Sequence, residues 1–509
     1  MTYLLGIDIG TSGTKALLLD AEGRLAARAT AEYPLHTPRP LWSEQDPEDW
    51  WTAVGVTIRE ILDRSGIAAK DIAGVGLSGQ MHGAVFLGEG DRALRPAILW
   101  NDQRTQKECD WITETIGRQR VVELTLNSVL TGFTAGKIVW VRDHEPEVFA
   151  RVRRVLLPKD YIRLRLTGEY ATDVSDASGT ALFDVARRRW SDEMLDGCGI
   201  PAAWMPPAFE SPEITGRISA TAAAATGLPI GIPVVGGGGD QAAGAVGNGI
   251  VEEGIVSSTV GTSGVVFAFA DRPVLDPEVR LHTFCHAVPG AWHVMGVMLS
   301  AGGSLQWYRD TFCAEEKSQA NARGIDPYEV MTAAAAEAPA GSEGLLFLPY
   351  LTGERTPHPD PYARGVFFGI TRRSSKAHFT RSVLEGVAYG LRDTLEIMRE
   401  LRLPMREVRL SGGGARSELW RSILTDVANI PHKTLAVDEG PALGAALLAG
   451  VGTGRYPDVP EACRAVVRVT GSTEVCSVNR VAYDRFYGIY RSLYPALRES
   501  FAEVGRIMA

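Results

Sequence analysis

The sequence is poor in cysteine, and the few present are not arranged for a metal or a redox couple. Six occur among 509 residues, at Cys109, Cys198, Cys285, Cys313, Cys463 and Cys476. None forms a Cys-x-x-Cys pair, which removes the common zinc and disulfide-exchange patterns and suggests reduced thiols. Positive charge is not in surplus either: 52 Lys and Arg stand against 61 Asp and Glu, for a net charge of −9. Nucleic acid is therefore not an expected partner, because polyanion binding needs a basic face. No run of about 18 apolar residues occurs, so no membrane span is expected. The first ten residues hold Asp8 and no basic stretch, unlike a secretory leader. The expected location is cytoplasmic. Two motifs are also missing. There is no G-x-x-x-x-G-K-[ST] loop and no G-x-S-x-G nucleophile elbow.

What is present suits a folded enzyme. The apolar fraction of 45% is enough to bury cores, which excludes a disordered chain. At about 150 residues per domain, the length implies two to four domains. Glycine, at 55 residues, is clustered, notably at Gly236–Gly239 and Gly412–Gly414. Such clusters mark places where backbone approaches a ligand or another chain segment.

The opening reads as a β-hairpin. Tyr3–Ile9 is an apolar run broken only by Asp8, Gly10–Thr14 is a turn, and Lys15–Leu19 is a second strand. Asp46–Asp63 reads as a helix and Ile72–Leu77 as a strand, so strands and helices alternate in α/β fashion. Gly10-Thr11-Ser12-Gly13 recurs as Gly261-Thr262-Ser263-Gly264, again between two strand-like runs, near mid-chain. Chance in a Gly- and Ser-containing chain is one explanation. The other is an internal duplication, in which two similar domains present their turns to a shared cleft. The boundary is expected between Gly244 and Gly254, giving domains 1–248 and 249–509. The tail, Val481–Val504, reads as a helix with a kink or break at Pro495. Its stripe of Tyr483, Phe486, Tyr487, Tyr490 and Leu493 reads as core packing.

Several residues are candidates for chemistry. Gly74–Gly79 matches G-x-G-x-x-G, but a dinucleotide site needs a helix next, and a strand-like run, Ala84–Leu87, follows instead. Backbone N–H groups of the Gly-rich turns can form anion nests, with hydroxyls from Thr11, Ser12, Thr262 and Ser263 and charge from Lys15. Asp8, in an apolar strand, either caps its own turn or holds a cation such as Mg²⁺ with phosphate. Asp240, after four glycines and before a small-residue helix start, is either an N-cap or a general base that accepts a hydroxyl proton. Met81, His82, Trp100, Asp102 and Arg104 lie on loops after strands and suit a small polyol pocket.

These residues resemble the FGGY family of carbohydrate kinases. Asp8-Ile9-Gly10-Thr11-Ser12 is similar to its first phosphate loop. Gly132–His144 is similar to one signature stretch. Gly365–Ile370, His378-Phe379 and Ser382–Glu385 are similar to another. The resemblance runs from about Tyr3 to Gly450. It implies an α/β fold of two actin-like, ribonuclease-H-like (ASKHA) domains closing on ATP, Mg²⁺ and a sugar. It implies Asp240 as catalytic base and Asp8 and Asp240 at the metal. It also implies Gly10, Thr11, Ser12, Gly13, Lys15, Gly261, Thr262, Ser263, Gly303, Gln306, Gly412, Gly413 and Gly414 on the nucleotide side.

Ser78–Gly83, with its Met81-His82 pair, most resembles members that phosphorylate the ketose xylulose, with Gln241 beside the sugar. The expected reaction is ATP-dependent conversion of D-xylulose to D-xylulose 5-phosphate. Two positions depart from the pattern: Gln241 stands where such members carry Asn, and Glu418 where many relatives carry Asn near the adenine. Three alternatives stay open. One is a sister kinase acting on ribulose, a pentitol or a glycerol-like polyol. The others are a non-catalytic actin-like nucleotide-binding protein and a dinucleotide enzyme. The expected partner is a small sugar, and a homodimer is the expected assembly, though the sequence fixes no oligomeric state.

Overall fold

The computed structural model describes residues 2–436 and 439–508. Two mixed seven-stranded sheets organise the chain. The first uses β1 (Tyr3–Ile9), β2 (Gly13–Leu19), β3 (Leu25–Glu32), β4 (Ile72–Gly79), β5 (Ile214–Arg217), β6 (Pro233–Val235) and β7 (Gly238–Gly239). The second uses β8 (Gly254–Val260), β9 (Gly264–Ala270), β10 (His282–Cys285), β11 (Trp292–Met298), β12 (Met405–Ser411), β13 (His432–Leu435) and β14 (Val469–Thr473).

The two sheets share one wiring. In the first the order is β3-β2-β1-β4-β6-β5, with β7 beside β4. In the second it is β11-β9-β8-β12-β13-β14, with β10 added outside β11. The β1–β4 and β4–β6 contacts are parallel, as are β8–β12 and β12–β13. The outer pairs are antiparallel in both. The repeated Gly-Thr-Ser-Gly turns join β1 to β2 and β8 to β9, the same place in each sheet. The mid-chain echo is therefore topological as well as textual.

Apolar β-strands buried on both faces need helices to cover them. The Pro47–Ser65 helix covers the first sheet with Trp50, Val54, Ile58 and Ile61, all buried. The Gly440–Gly452 helix comes late in the chain, yet it packs on β1 and β4 of the first sheet and on the Asp240–Gly247 helix. Small residues make this possible. A Cβ on Gly76 would stand 1.8 Å from the Ala445 carbonyl oxygen, and one on Gly444 would stand 1.8 Å from that of Ala243. Backbone thus lies on backbone where the two halves meet. A shared apolar core adds to the joint, with Ile255, Phe267, Phe284 and Met295 packed among residues of the first half.

One alternative falls and one expectation changes. Gly74–Gly79 is strand β4, and the next regular element is the Val85–Leu87 strand, so no helix opens there and the dinucleotide reading falls. The tail helix runs unbroken from Ser477 to Met508 across Pro495. Its tyrosine stripe does pack into the second half's core, but the hydroxyls also find buried partners. Tyr487 donates to Asp393 at 2.6 Å and Tyr483 to Glu385 at 3.0 Å, both on the Lys376–Glu400 helix.

Candidate active site

Sheet register aligns the polar residues at the end of the first sheet. Asp8 on β1 pairs with Ser78 on β4 and with Lys15 on β2. Ser78 in turn pairs with Gly238 on β7, two residues before Asp240. Asp240 then begins the Asp240–Gly247 helix, whose N-cap is Gly239 with no side-chain cap. Its carboxylate is therefore not a helix cap.

The glycines before Asp240 have a steric reason. Gly237 has φ 69°, and a Cβ there would meet the Leu77 carbonyl oxygen at 2.0 Å. The loop is held from below by buried polar groups. Arg163 donates to the Val235 carbonyl at 2.6 Å, and the Gly239 N–H donates to Ser175 Oγ at 3.2 Å. Lys159, fully buried, bridges Asp160, Asp173 and Asp176 under this loop. Nothing in the sequence pattern singled out these supports, because they come from separated segments.

The two carboxylates share one electrostatic environment. Burial pushes Asp240 up to about 7, and the nearby charge of Asp8 pushes the same way, with Gln241 opposing. Burial raises Asp8 to about 6, while Ser78 and Lys15 lower it. Asp8 is 9% exposed, and its Oδ1 is buried with no hydrogen-bond partner. Two neighbouring carboxyl groups with an unpaired oxygen suit a hard cation, and Mg²⁺ typically takes one or two carboxylates plus phosphate oxygens and water. Among the described residues no group of three or more His, Cys, Asp or Glu could hold a metal alone.

The first turn is braced by side chains. The Gln45 amide donates to the Thr11 carbonyl at 2.7 Å, and Trp100 Nε1 donates to Thr11 Oγ1 at 2.9 Å. Lys15, exposed, faces Glu439 at 3.6 Å. The second turn is braced by a helix start: Gly302 N–H donates to the Gly261 carbonyl at 2.7 Å and Gly303 N–H to that of Thr262 at 3.0 Å. Beside it opens a cavity of about 1150 Å³, lined by Gly261, Thr262, Gln306, Gly413, Gly414 and Glu418 among others. Ser263 is exposed in the turn. Gly412, at φ 82°, lies against the Val260 backbone.

Met81 lies beside Gly239, the residue before Asp240, and His82 follows it in the chain. Met81 packs against Gly239, where a Cβ would come within 2.8 Å of its side chain. His82 holds φ 69°, a costly backbone for a residue with a Cβ. Such outliers persist where surroundings enforce them, commonly at functional sites. Here Lys137 Nζ donates to the His82 carbonyl at 2.7 Å and Thr134 Oγ1 at 3.1 Å, while the ring stacks on Phe133 with centroids 4.7 Å apart. His82 Nδ1 lies 2.6 Å from the Gly179 carbonyl, which can only accept, so Nδ1 carries the proton. Burial and Lys137 lower its pKa to about 3, so the ring is neutral.

Asp102 and Arg104 do not face an opening. Asp102 is 0% exposed, and its oxygens are taken by the Ser43 N–H at 2.6 Å and by Arg104. Arg104 also pairs with Glu44 at 2.8 Å and lies 3.6 Å over the Trp42 ring. The expectation of a pocket contact is corrected for both: the pair is a closed, buried support under the Trp100 loop.

Comparison with known proteins follows the same division. Residues 3–247 match the N-terminal domain, and residues 256–453 the C-terminal domain, of the FGGY family of carbohydrate kinases. The chain belongs to this family.

An Escherichia coli xylulose kinase is 45% identical over 88% of this chain and 89% of its own length. A Bacillus subtilis gluconokinase is 33% identical over 93% of this chain and 91% of its own. The crystal structure of a Rhodospirillum rubrum xylulose kinase superposes with TM-score 0.91 at 31% identity, covering 98% of this chain and 100% of that one.

The FGGY signature stretches now have physical roles. Gly132–His144 supplies Phe133, Thr134 and Lys137, which hold His82 together with the Gly179 carbonyl. Glu385 of the later stretch accepts from the Gly341 N–H, Ser342, Arg381 and Tyr483, and so ties the tail helix into the second half. No helix of the described residues is long and apolar enough to cross a membrane.

Proposed function

We propose that this FGGY chain transfers the γ-phosphoryl group of ATP to the terminal hydroxyl of D-xylulose, giving D-xylulose 5-phosphate. The observation that carries the reading is the meeting of Asp8 and Asp240 at one sheet end, beside Met81-His82, with the glycine-lined cavity on the second half. Residues 1–248 would handle the sugar and residues 249–509 the nucleotide.

Asp240 is the group placed to accept the hydroxyl proton as the sugar oxygen attacks phosphorus in line. Asp8 and Asp240 are the residues that would hold Mg²⁺. When bound, Mg²⁺ would neutralise charge on the phosphate oxygens. N–H groups of the two turns, with Thr11, Ser12, Thr262 and Ser263, would bind phosphate. Trp100 fixes the Thr11 hydroxyl. Gln306, Gly413, Gly414 and Glu418 would border the nucleotide. Met81 and the neutral His82 would bind the ketose, with Gln241 alongside. Closing the crevice would exclude water and limit wasteful hydrolysis. A cytoplasmic homodimer is part of this reading.

A coupled ADP-release assay over D-xylulose, ribulose, gluconate, glycerol and pentitols tests it. D-xylulose is expected to give the highest kcat/KM. A higher value for another sugar would move the substrate and leave the chemistry. No sugar-stimulated ADP release at all would overturn the kinase reading. Gln241, in place of the Asn expected from such members, is the specific reason to keep the other sugars in the panel.

A further inference from the structure

A second imidazole, supplied by the other half of the chain, stands in the aromatic cluster around His82. His282, on β10, lies in one aromatic cluster with His82. Ring centroids are 5.9 Å apart for Phe133 and His282, 5.8 Å for His282 and Phe284, and 6.2 Å for His82 and Phe284. Phe133 and His82 come from the first half, and His282 and Phe284 from the second.

Hydrogen bonding fixes the tautomer of His282. Asn127 Nδ2 donates to the Thr125 and Thr283 carbonyls, each at 2.8 Å. Its Oδ1 therefore faces the other way, accepting from the Thr283 N–H at 3.3 Å and meeting His282 Nδ1 at 3.1 Å. An amide oxygen cannot donate, so Nδ1 carries the proton and Nε2 is a bare acceptor. His282 is 8% exposed, and that Nε2 is buried with no donor. An unmet buried acceptor is costly unless something fills it. His82 is arranged alike: its Nδ1 proton is spent on Gly179, leaving Nε2 to accept. Arg355 adds a donor. Among the described residues its side chain makes no hydrogen bond or ion pair, and its charge acts on both rings. Residues 354–356 are pinned to β11 by Thr356, which accepts from the Val297 N–H at 3.2 Å, and to the residue after it by Glu354, which accepts from the Leu299 N–H at 2.9 Å.

We propose that His282 Nε2 accepts a hydroxyl of the bound sugar, so that the second half reads the sugar together with His82 and decides which polyol fits. The inference rests on the proposed kinase reading and names a specificity residue for that site. Two neutral acceptors, with a guanidinium as donor, match the alternating donor and acceptor character of a polyol.

The test compares wild-type chain with His282→Phe and His282→Gln, using D-xylulose and its 1-, 3- and 4-deoxy analogues. His282→Phe keeps a ring between Phe133 and Phe284 but removes the acceptor. It is expected to raise the KM for D-xylulose about tenfold, the size of one well-made buried hydrogen bond, with the KM for ATP unchanged. In the wild type, one deoxy analogue should lose about tenfold in kcat/KM. The Phe variant should not distinguish that analogue from xylulose. Unchanged sugar KM, or an equal shift in both KM values, would overturn the proposal. If His282→Phe fails to fold, the wild type and His282→Gln still decide it. Absence of any deoxy penalty in the wild type would count against a hydroxyl on Nε2, as would a penalty pattern lost in every His282 variant alike only through a general fall in kcat. His282→Gln, whose amide oxygen can still accept, is expected to keep part of the penalty. A wild-type chain that phosphorylates none of these sugars would instead show that the underlying kinase reading has failed.

Discussion

The two halves share a sheet and a turn but not a chemistry. Two residues before the first glycine turn stands Asp8, paired with Ser78. Two residues before the second stands Thr259, paired with Ser411. After the central parallel strand the first half continues Gln80-Met81-His82, whereas the second continues Gly412-Gly413-Gly414. In the second half the paired hydroxyls of Thr259 and Ser411 simply bond each other at 2.9 Å. In the first, the equivalent oxygen of Asp8 is left without a partner. One scaffold has thus been used twice, once with acids and specific side chains, once with bare backbone. The lesson is that wiring sets where a ligand can dock, while a few residues at two strand ends set what is done to it.

The sharpest way to break this contrast is to remove the acid that the second half lacks. Asp240→Asn keeps size and polarity but cannot take a proton. It is expected to lower kcat by about 10³ or more, within the range of general-base loss combined with lost metal binding. Nucleotide binding, measured by titration calorimetry with ADP and Mg²⁺, should change far less. Near-normal turnover would remove Asp240 as the base.

The same pair gives a pH signature. Asp240 holds its proton up to about 7 when folded, against 3.8 as an ordinary Asp. Between those values the folded chain binds more protons than the unfolded one, so this group's contribution to stability falls as pH rises through the window. Asp240→Asn should therefore raise Tm at pH 8 in the absence of ligand, and the gain should shrink toward pH 4. Opposite behaviour would mean that burial and Asp8 together do not raise the Asp240 carboxyl. In the wild type, kcat/KM for the sugar should rise with pH and level off above about 7 as the base ionises. His82, held neutral, should add no step near 6.5.

Much of this was legible in the sequence, for physical reasons that differ by region. Asp8 in an apolar strand and Asp240 after four glycines stand out because burying an acid or omitting four side chains is costly without a purpose. The duplication was visible because turn residues are local. Asp102 and Arg104 misled, since a Trp-Asn-Asp-Gln-Arg loop looks the same whether its charges face a ligand or each other. Lys159, Asp173, Ser175 and Asn127 were invisible, because each acts through partners distant in sequence. The tail tyrosines were read as packing, and their hydroxyl bonds to Asp393 and Glu385 needed the fold to bring two helices together. Pro495 was expected to interrupt the tail helix, but Tyr490, Leu493, Tyr494 and Phe501 are buried on both sides of it. That burial outweighs the cost of an internal proline, roughly 3 kcal/mol.

A smaller effect should separate the halves from the nucleotide side. Gly413 borders the large cavity, has no atom within 4 Å of a built Cβ, and is not held at positive φ. Gly413→Val should fold normally while intruding on the bound nucleotide. The expected result is a several-fold rise in KM for ATP with the sugar KM unchanged. Gly412→Ala differs, because φ is 82° and the new Cβ would lie 2.7 Å from the Val260 carbonyl oxygen. That variant should lose stability as well. An effect of Gly413→Val on sugar KM instead would mean that this cavity does not hold the nucleotide.

The smallest effect is expected where the contrast is purest. Thr259 occupies the position that Asp8 holds in the other sheet. Thr259→Val removes one hydroxyl and nearly preserves shape, leaving Ser411 half-buried and able to bond water instead. The loss should be about 1 kcal/mol or less. Thermal melting should register it as a small fall in Tm, with kcat and both KM values unchanged. Asp8→Val, the same replacement at the matching place, should nearly abolish turnover, because the unpaired oxygen that suits a cation disappears with it. If Thr259→Val lowers kcat strongly, the second sheet end takes part in chemistry, and the division between an acting half and a holding half would have to be drawn elsewhere.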